Sequence, residues 1–168
     1  MRPMNAVRRA AAADAEEVIR LRQVMIDSVL TLDGTLPAAS VTDWHAESIP
    51  TVRERLADPD GNFAAFVVDH PERSGALAAL AVGTLEYRIG RAGNPHGVAG
   101  YVFSVATDPG MRRRGFSRAC VEALLDWFRE RGAGQVDLTA SPEAEPLYAS
   151  LGFVRKPDPY MQLKLTGA

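Results

Sequence analysis

An apolar run of strand length, Ala99, Tyr101, Val102, Phe103 and Val105, leads through Thr107-Asp108-Pro109-Gly110-Met111 into Arg112-Arg113-Arg114-Gly115-Phe116-Ser117. Arginine and glycine at a strand-to-helix turn are the residue types that hold a phosphate ester. Pro109 and Gly110 end the strand pairing. Phe116, Ala119, Cys120, Ala123, Leu124, Trp127 and Phe128 then recur at offsets of three and four, which places them on one face of a helix that Gly132 and Gly134 stop. The first amides of such a helix have no partner inside it, and the macrodipole adds partial positive charge there. Gly115 lets a ligand approach the backbone and Ser117 is too small to block it. Arg112, Arg113, Arg114 and Arg118 can each add a charge-assisted hydrogen bond worth about 1.5 to 3 kcal/mol before solvent screening. The turn is predicted to bind a diphosphate; the competing reading is a solvated basic surface. A nucleotide-binding module is disfavoured, because the P-loop lysine with its following hydroxyl and the three-glycine dinucleotide fingerprint are both missing.

These residues carry a resemblance. Arg112-Arg113-Arg114-Gly115-Phe116-Ser117 resembles the [Q/R]-x-x-G-x-[G/A] motif of the GCN5-related N-acetyltransferase (GNAT) superfamily, with Val105-x-Thr107-x-Pro109 in the family's register. Ser117 replaces the commonest final glycine or alanine. A second block follows: a strand from Gln135 to Thr139, then Ala140-Ser141-Pro142-Glu143-Ala144-Glu145-Pro146 and Leu147-Tyr148-Ala149-Ser150-Leu151-Gly152-Phe153, whose L-Y-x-x-L-G-F ending is similar to the family's last helix.

The resemblance implies an α/β fold with a mostly antiparallel twisted sheet, a splayed parallel strand pair and flanking helices. It also implies acetyl-CoA as co-substrate, bound without a metal where the strands ending near Thr107 and Thr139 part. Val105, Ala106 and Thr107 would then pair with the pantetheine amides, and the amides from Arg112 through Arg113, Arg114, Gly115 and Phe116 to Ser117 would hold the diphosphate. Ser141 stands where relatives often have an asparagine touching pantetheine. Tyr148 matches the family tyrosine that can protonate the departing thiolate. Glu86 lies where some relatives place a carboxylate facing the cleft, with Asp108 or a water relay as alternatives; either carboxylate reads equally well as a solvated edge charge.

The implied reaction is direct attack of a primary amine, of a small molecule or a peptide, on the thioester. A lysine-like amine has a pKa of about 10.4, so roughly one in 10³ is unprotonated at neutral pH and its proton must be accepted. A non-catalytic acyl-CoA-sensing or partner-binding domain on the same fold is the alternative. In this superfamily the acceptor is read by the first helices and the loop before the fourth strand, here about Ser28 to Ser48 and Gly90 to Gly97. Asp27, Asp33, Asp43 and Glu47 could meet a cationic amine and Trp44 could offer a cation-π surface. Homodimers are frequent in the superfamily, and the final strand could join such an interface.

The remaining elements must position these groups. Ala6 to Arg9 reads as a first strand, and Asp14 with Glu17 as a capping box opening a helix through Val18, Leu21, Met25 and Val29 that ends near Asp33-Gly34 and Pro37. Ile49 to Ala57 reads as a second helix and Phe63 to Asp69 as a strand. Ala76 to Ile89 is ambiguous through its alanines, with Val82, Leu85, Tyr87 and Ile89 favouring strand. Met161, Leu163 and Leu165 alternate with Gln162 and Lys164 as in a last strand.

A chain of 168 residues suits a single domain, and a net charge of −2 argues against a general nucleic-acid binder. Cys120, the one cysteine, lies on the apolar helix face and reads as core. His45, His70 and His96 fall in loops or turns and read as surface residues. Asp14, Glu16 and Glu17 interrupt any signal-peptide core, and no stretch approaches the roughly 20 apolar residues of a membrane helix, so a cytoplasmic protein is expected.

Overall fold

The structure is a computed structural model that describes residues 7–32 and 42–166. Ala6 and the predicted break at Asp33, Gly34 and Pro37 lie outside the described residues. The chain forms two compact units, one within 1–138 and one within 139–168.

The first unit holds one five-stranded sheet whose spatial order follows the chain. Its strands are β1 (Arg8–Arg9), β2 (Phe63–Asp69), β3 (Leu77–Tyr87), β4 (Val98–Thr107) and β5 (Gln135–Leu138). Pairing is antiparallel from β1 to β4 and parallel between β4 and β5. Among the described residues this unit has the α-helices α1 (Ala15–Leu32), α2 (Trp44–Leu56) and α3 (Phe116–Glu130). The second unit contains α4 (Glu145–Ser150). The mixed sheet with flanking helices agrees with the fold class expected from the sequence.

The ambiguous alanine stretch is a strand because it is the middle of the sheet. Leu77 to Val82 are all at most 2% exposed, and small side chains at Ala78, Ala79 and Ala81 let helices approach both faces. On one face, Val18 and Leu21 of α1 and Leu56 of α2 pack with Val67, Leu80, Val82 and Ala106. On the other, the Phe128 ring of α3 lies so close to the backbone that a Cβ at Gly83 or Gly100 would sit 2.7 Å from it. Neither glycine can carry a side chain unless that ring moves. Burying Phe128 completely contributes about 2 to 3 kcal/mol.

A bulge re-aims β4. Val82 pairs with Ser104 but Gly83 pairs with Val102, so Phe103 is the extra residue. Its ring stacks beside Tyr101, with centroids 6.5 Å apart and planes at 14°, and also packs near Phe63.

Three local expectations are corrected. No strand forms over 161–165; Met161, Leu163 and Leu165 are 84%, 81% and 87% exposed. Alternation supplies the period of a strand but not the neighbouring edge that its backbone groups require. The second helix begins at Trp44 rather than Ile49 and carries Pro50 inside it. Asp14 does not cap with Glu17: its carboxylate accepts from the Ala11 N–H at 2.8 Å and from Arg8, while Glu17 accepts from Arg20 and from the Leu77 N–H.

Candidate functional site

The parallel ladder stops before β4 does. β5 ends at Leu138 opposite Val102, and β4 continues to Thr107. The Asp108 N–H donates to the Ala78 carbonyl at 2.8 Å, which fixes the alternation upstream of it. Ser104 and Ala106 therefore direct their backbone groups to β3, whereas Val105 and Thr107 direct theirs away from β3, past the end of β5. Such a strand edge can pair with the amides of an extended ligand.

Beyond it the backbone turns sharply. Arg113 has φ 63° and Gly115 φ 77°, both left-handed. Glycine takes that conformation freely; for Arg113 it costs about 1 to 2 kcal/mol. The first helical hydrogen bond of α3 runs from the Ala119 N–H to the Gly115 carbonyl at 3.1 Å, and no side chain caps the terminus. The amides of Phe116 and Ser117 precede that bond. A Cβ at Gly115 would meet no atom within 4 Å, so the backbone there is open to a ligand. The Thr107 and Ser117 hydroxyls hydrogen-bond to each other, tying the strand end to the first helical turn. Arg118 pairs with Glu122 at 3.1 Å. Arg112, Arg113 and Arg114 are exposed, and none of them is ion-paired among the described residues. Strand edge, unpaired amides and free guanidinium groups form a continuous arrangement that suits an extended amide-bearing arm ending in a diphosphate.

Asp108 fastens this turn and is neither a solvated edge charge nor a free base. It is 7% exposed; one oxygen accepts from the Gly110 N–H at 3.1 Å, the other from Arg20 at 3.0 Å and Arg73 at 2.7 Å. Burial pushes its pKa up, but the Gly110 amide and the two guanidinium groups outweigh burial and hold it below the usual carboxylate value. Arg20 and Arg73 were invisible as parts of the site, because they lie 88 and 35 residues from Asp108 in sequence.

Glu86 is also ion-paired. Arg88 donates to its Oε2 at 3.0 and 2.7 Å and reaches Asp137 at 3.4 Å. Glu86 pairs across the ladder with Ala99, and Thr84 with Tyr101, so Glu86 shares the sheet face that carries Tyr101.

In the second unit Tyr148 is 7% exposed, with its ring 5.7 Å from that of Phe153. Burial raises its phenol pKa, which keeps the proton on. Ser141 Oγ accepts from the Ala144 N–H at 3.3 Å, within the turn that precedes α4.

The other candidates separate cleanly. Burial pushes the Cys120 thiol up to about 12, as befits a core residue. His70 Nδ1 accepts from the Glu72 and Arg73 amides, and His96 is exposed. His45 is not a plain surface residue: it is half-buried, 3.0 Å from Gln23 Oε1, which also accepts from the Trp44 indole at 3.2 Å. Asp27 accepts from Gln23 at 2.8 Å, Asp43 and Glu47 are exposed, and Asp33 lies outside the described residues. Among the described residues no group of three His, Cys, Asp or Glu side chains could hold a metal ion, and no helix is long and apolar enough to cross a membrane.

Comparison with known proteins agrees with this geometry. Residues 32–153 match the family model "Acetyltransferase (GNAT) family". The chain belongs to the GNAT acetyltransferase family, a class of enzymes that transfer an acetyl group from acetyl-CoA to an amine. It is 28% identical over 131 residues to the [ribosomal protein bS18]-alanine N-acetyltransferase of Escherichia coli K12, covering 76% of this chain and 79% of that protein. Its fold is similar to that of a GCN5-related N-acetyltransferase from Ralstonia eutropha JMP134, with TM-score 0.74, 23% identity and coverage of 95% and 99% of the two chains. It is also similar to a predicted acetyltransferase of Clostridium acetobutylicum solved with acetyl-CoA, with TM-score 0.75, 21% identity and coverage of 96% and 97%.

Proposed function

We propose that residues 1–168 act as one cytoplasmic N-acetyltransferase domain that moves the acetyl group of acetyl-CoA to a primary amine of a small molecule or peptide. The observation that carries this reading is the β4 edge at Val105 and Thr107 running directly into the open, arginine-rich start of α3. In it, Val105 and Thr107 pair with the pantetheine amides, with Ala106 holding them in register through β3. The amides of Arg112 to Ser117 and the guanidinium groups of Arg112, Arg113 and Arg114 hold the diphosphate. Ser141, whose oxygen already accepts from Ala144, retains a hydroxyl proton to give to pantetheine.

The thioester is already activated, so the chain supplies alignment, proton removal and help for the departing thiolate. Tyr148, kept protonated by burial, is the acid. Glu86 is the proton acceptor and acts through water, since Arg88 occupies its Oε2. A homodimer belongs to the same reading; its support is the row of exposed apolar side chains at Met161, Leu163 and Leu165.

The test is thiol release from acetyl-CoA across a panel of amino acids, peptides with free N-termini, polyamines and aminoglycosides. Turnover on at least one class is expected. Tight CoA binding without turnover on any class would instead support an acyl-CoA-sensing domain, a reading that the ion-paired states of Glu86 and Asp108 favour.

A further inference from the structure

Arg22, beside β4, has no task in the proposed chemistry. It projects from α1, is half-buried, and has no carboxylate partner among the described residues. The neighbouring arginines differ: Arg20 is held by Glu17 and Asp108, and Arg8 by Asp14 and Asp69. Burial draws the pKa of Arg22 below the ordinary value with nothing opposing it, although a guanidinium stays charged at any working pH. A charge withdrawn from water without a counter-charge is a standing cost, which an anion placed beside it would offset.

The surroundings are built to present this charge. The guanidinium carbon lies 5.9 Å from the centroid of the Phe103 ring, the residue that the β4 bulge re-aims. One Nη1 donates to Ser104 Oγ, which leaves the other guanidinium N–H groups and the Ser104 hydroxyl proton without acceptors among the described residues. The Tyr101 and Phe103 rings, stacked with centroids 6.5 Å apart, add apolar side chains on the same stretch of β4. Ser104 is immediately followed by Val105, whose backbone faces the open strand edge. An anion held by Arg22 and Ser104 is therefore next to the segment of β4 assigned to the thioester arm.

We propose that Arg22, aided by Ser104, binds a carboxylate carried by the amine acceptor, with the acceptor's apolar part lying on Tyr101 and Phe103. This rests on the acetyltransferase reading and narrows it from amines at large to amines that bear a carboxylate. That carboxylate can belong to a small amino acid or to an acidic side chain next to a peptide N-terminus. Lysine would be a poor replacement, since it offers a point charge rather than a planar fork.

The experiment compares matched acceptors with acetyl-CoA: 4-aminobutyrate against butylamine, β-alanine against β-alaninamide, and the dipeptide amides Ser-Asp-NH2 against Ser-Asn-NH2. For the wild type, kcat/KM for the carboxylate member of at least one pair is expected to be about 10- to 100-fold higher, the range of one charge-assisted hydrogen bond. Preference in the first two pairs identifies a small amino acid; preference only in the third identifies an acidic peptide. Arg22→Gln should erase the preference, mostly through KM, while CoA affinity and turnover of the neutral member change less than about twofold. Arg22→Lys should restore part of it. If Arg22→Gln does not fold, Ser104→Ala, which removes one donor, should reduce the preference by about three- to tenfold. Equal rates within every pair, or equal losses for both members in Arg22→Gln, would overturn the proposal while leaving the acetyltransferase reading intact. Absence of turnover on every amine with CoA still bound would remove the acetyltransferase reading and this inference with it.

Discussion

Gly115→Glu isolates the anion site from the rest of the fold. Gly115 has φ 77° and ψ 10°, and no atom lies within 4 Å of where its Cβ would stand. The substitution therefore introduces no clash; its conformational cost is the left-handed backbone, about 1 to 2 kcal/mol of folding stability for an ordinary side chain. Gly115→Ala measures that cost alone, and Gly115→Asn should lower it because asparagine enters this region more easily. The glutamate adds a charge beside the amides of Phe116 and Ser117. A carboxylate about 5 Å from a doubly charged diphosphate repels it by roughly 2 kcal/mol in a water-like medium and roughly 7 kcal/mol at the effective dielectric of a protein surface. Salt screening and the freedom of the side chain to swing away hold the effect near the lower figure, about a 30-fold weaker Kd. Calorimetric titration of CoA into the three variants, with thermal melts alongside, should show all three slightly destabilised and only the glutamate strongly impaired in binding. CoA affinity within twofold of wild type in Gly115→Glu would refute the placement of the diphosphate at this turn.

Further outcomes follow from the other groups. Tyr148→Phe should lower turnover by about 10- to 100-fold with CoA affinity nearly unchanged, measured by steady-state kinetics and titration. Asp108→Asn should cost about 1.5 to 3 kcal/mol in denaturant unfolding, through weakened bonds to Arg20 and Gly110, with the half-exposed Arg73 adding little. Because Asp108 has a depressed folded-state pKa, its contribution is complete above the unfolded value of about 3.9 and is lost as pH falls through the folded value. The gap in Tm between wild type and Asp108→Asn should therefore be widest near neutral pH and close below about pH 4. Gly100→Ala should destabilise by about 1 to 3 kcal/mol, since its methyl group would sit 2.7 Å from the Phe128 ring; an unchanged Tm would contradict the close packing of α3 on the sheet.

What the sequence revealed, and what it hid, divides by range. The strand Phe63–Asp69, the helix opening at Phe116 and the strand from Gln135 were readable because each is set by local period and bounded by glycine or proline. The alanine-rich β3 was ambiguous because alanine fits a helix as well as a strand, and only its central place in the sheet decides between them. Residues 161–165 show the opposite error: their alternation is genuine, but no strand pairs with them among the described residues. Within the candidate site, the motif positions at the β4 edge and the turn were legible. The alternation that turns Val105 and Thr107 outward and Ala106 toward β3 depends on the Phe103 bulge, which no local signal marks. The ion pairs that occupy Glu86 and Asp108 were hidden for different reasons. Arg88 stands two residues from Glu86 and was readable as a neighbour but not as a partner, whereas Arg20 and Arg73 reach Asp108 only through the fold.

A crystal structure with CoA bound would show whether the β4 edge and the start of α3 hold the cofactor. The pantetheine arm should be hydrogen-bonded to the backbone of Val105 and Thr107, and the diphosphate oxygens should lie about 3 Å from amides between Arg113 and Ser117. CoA seated elsewhere on the protein, with the edge of β4 and the start of α3 unoccupied by it, would rule this cofactor site out.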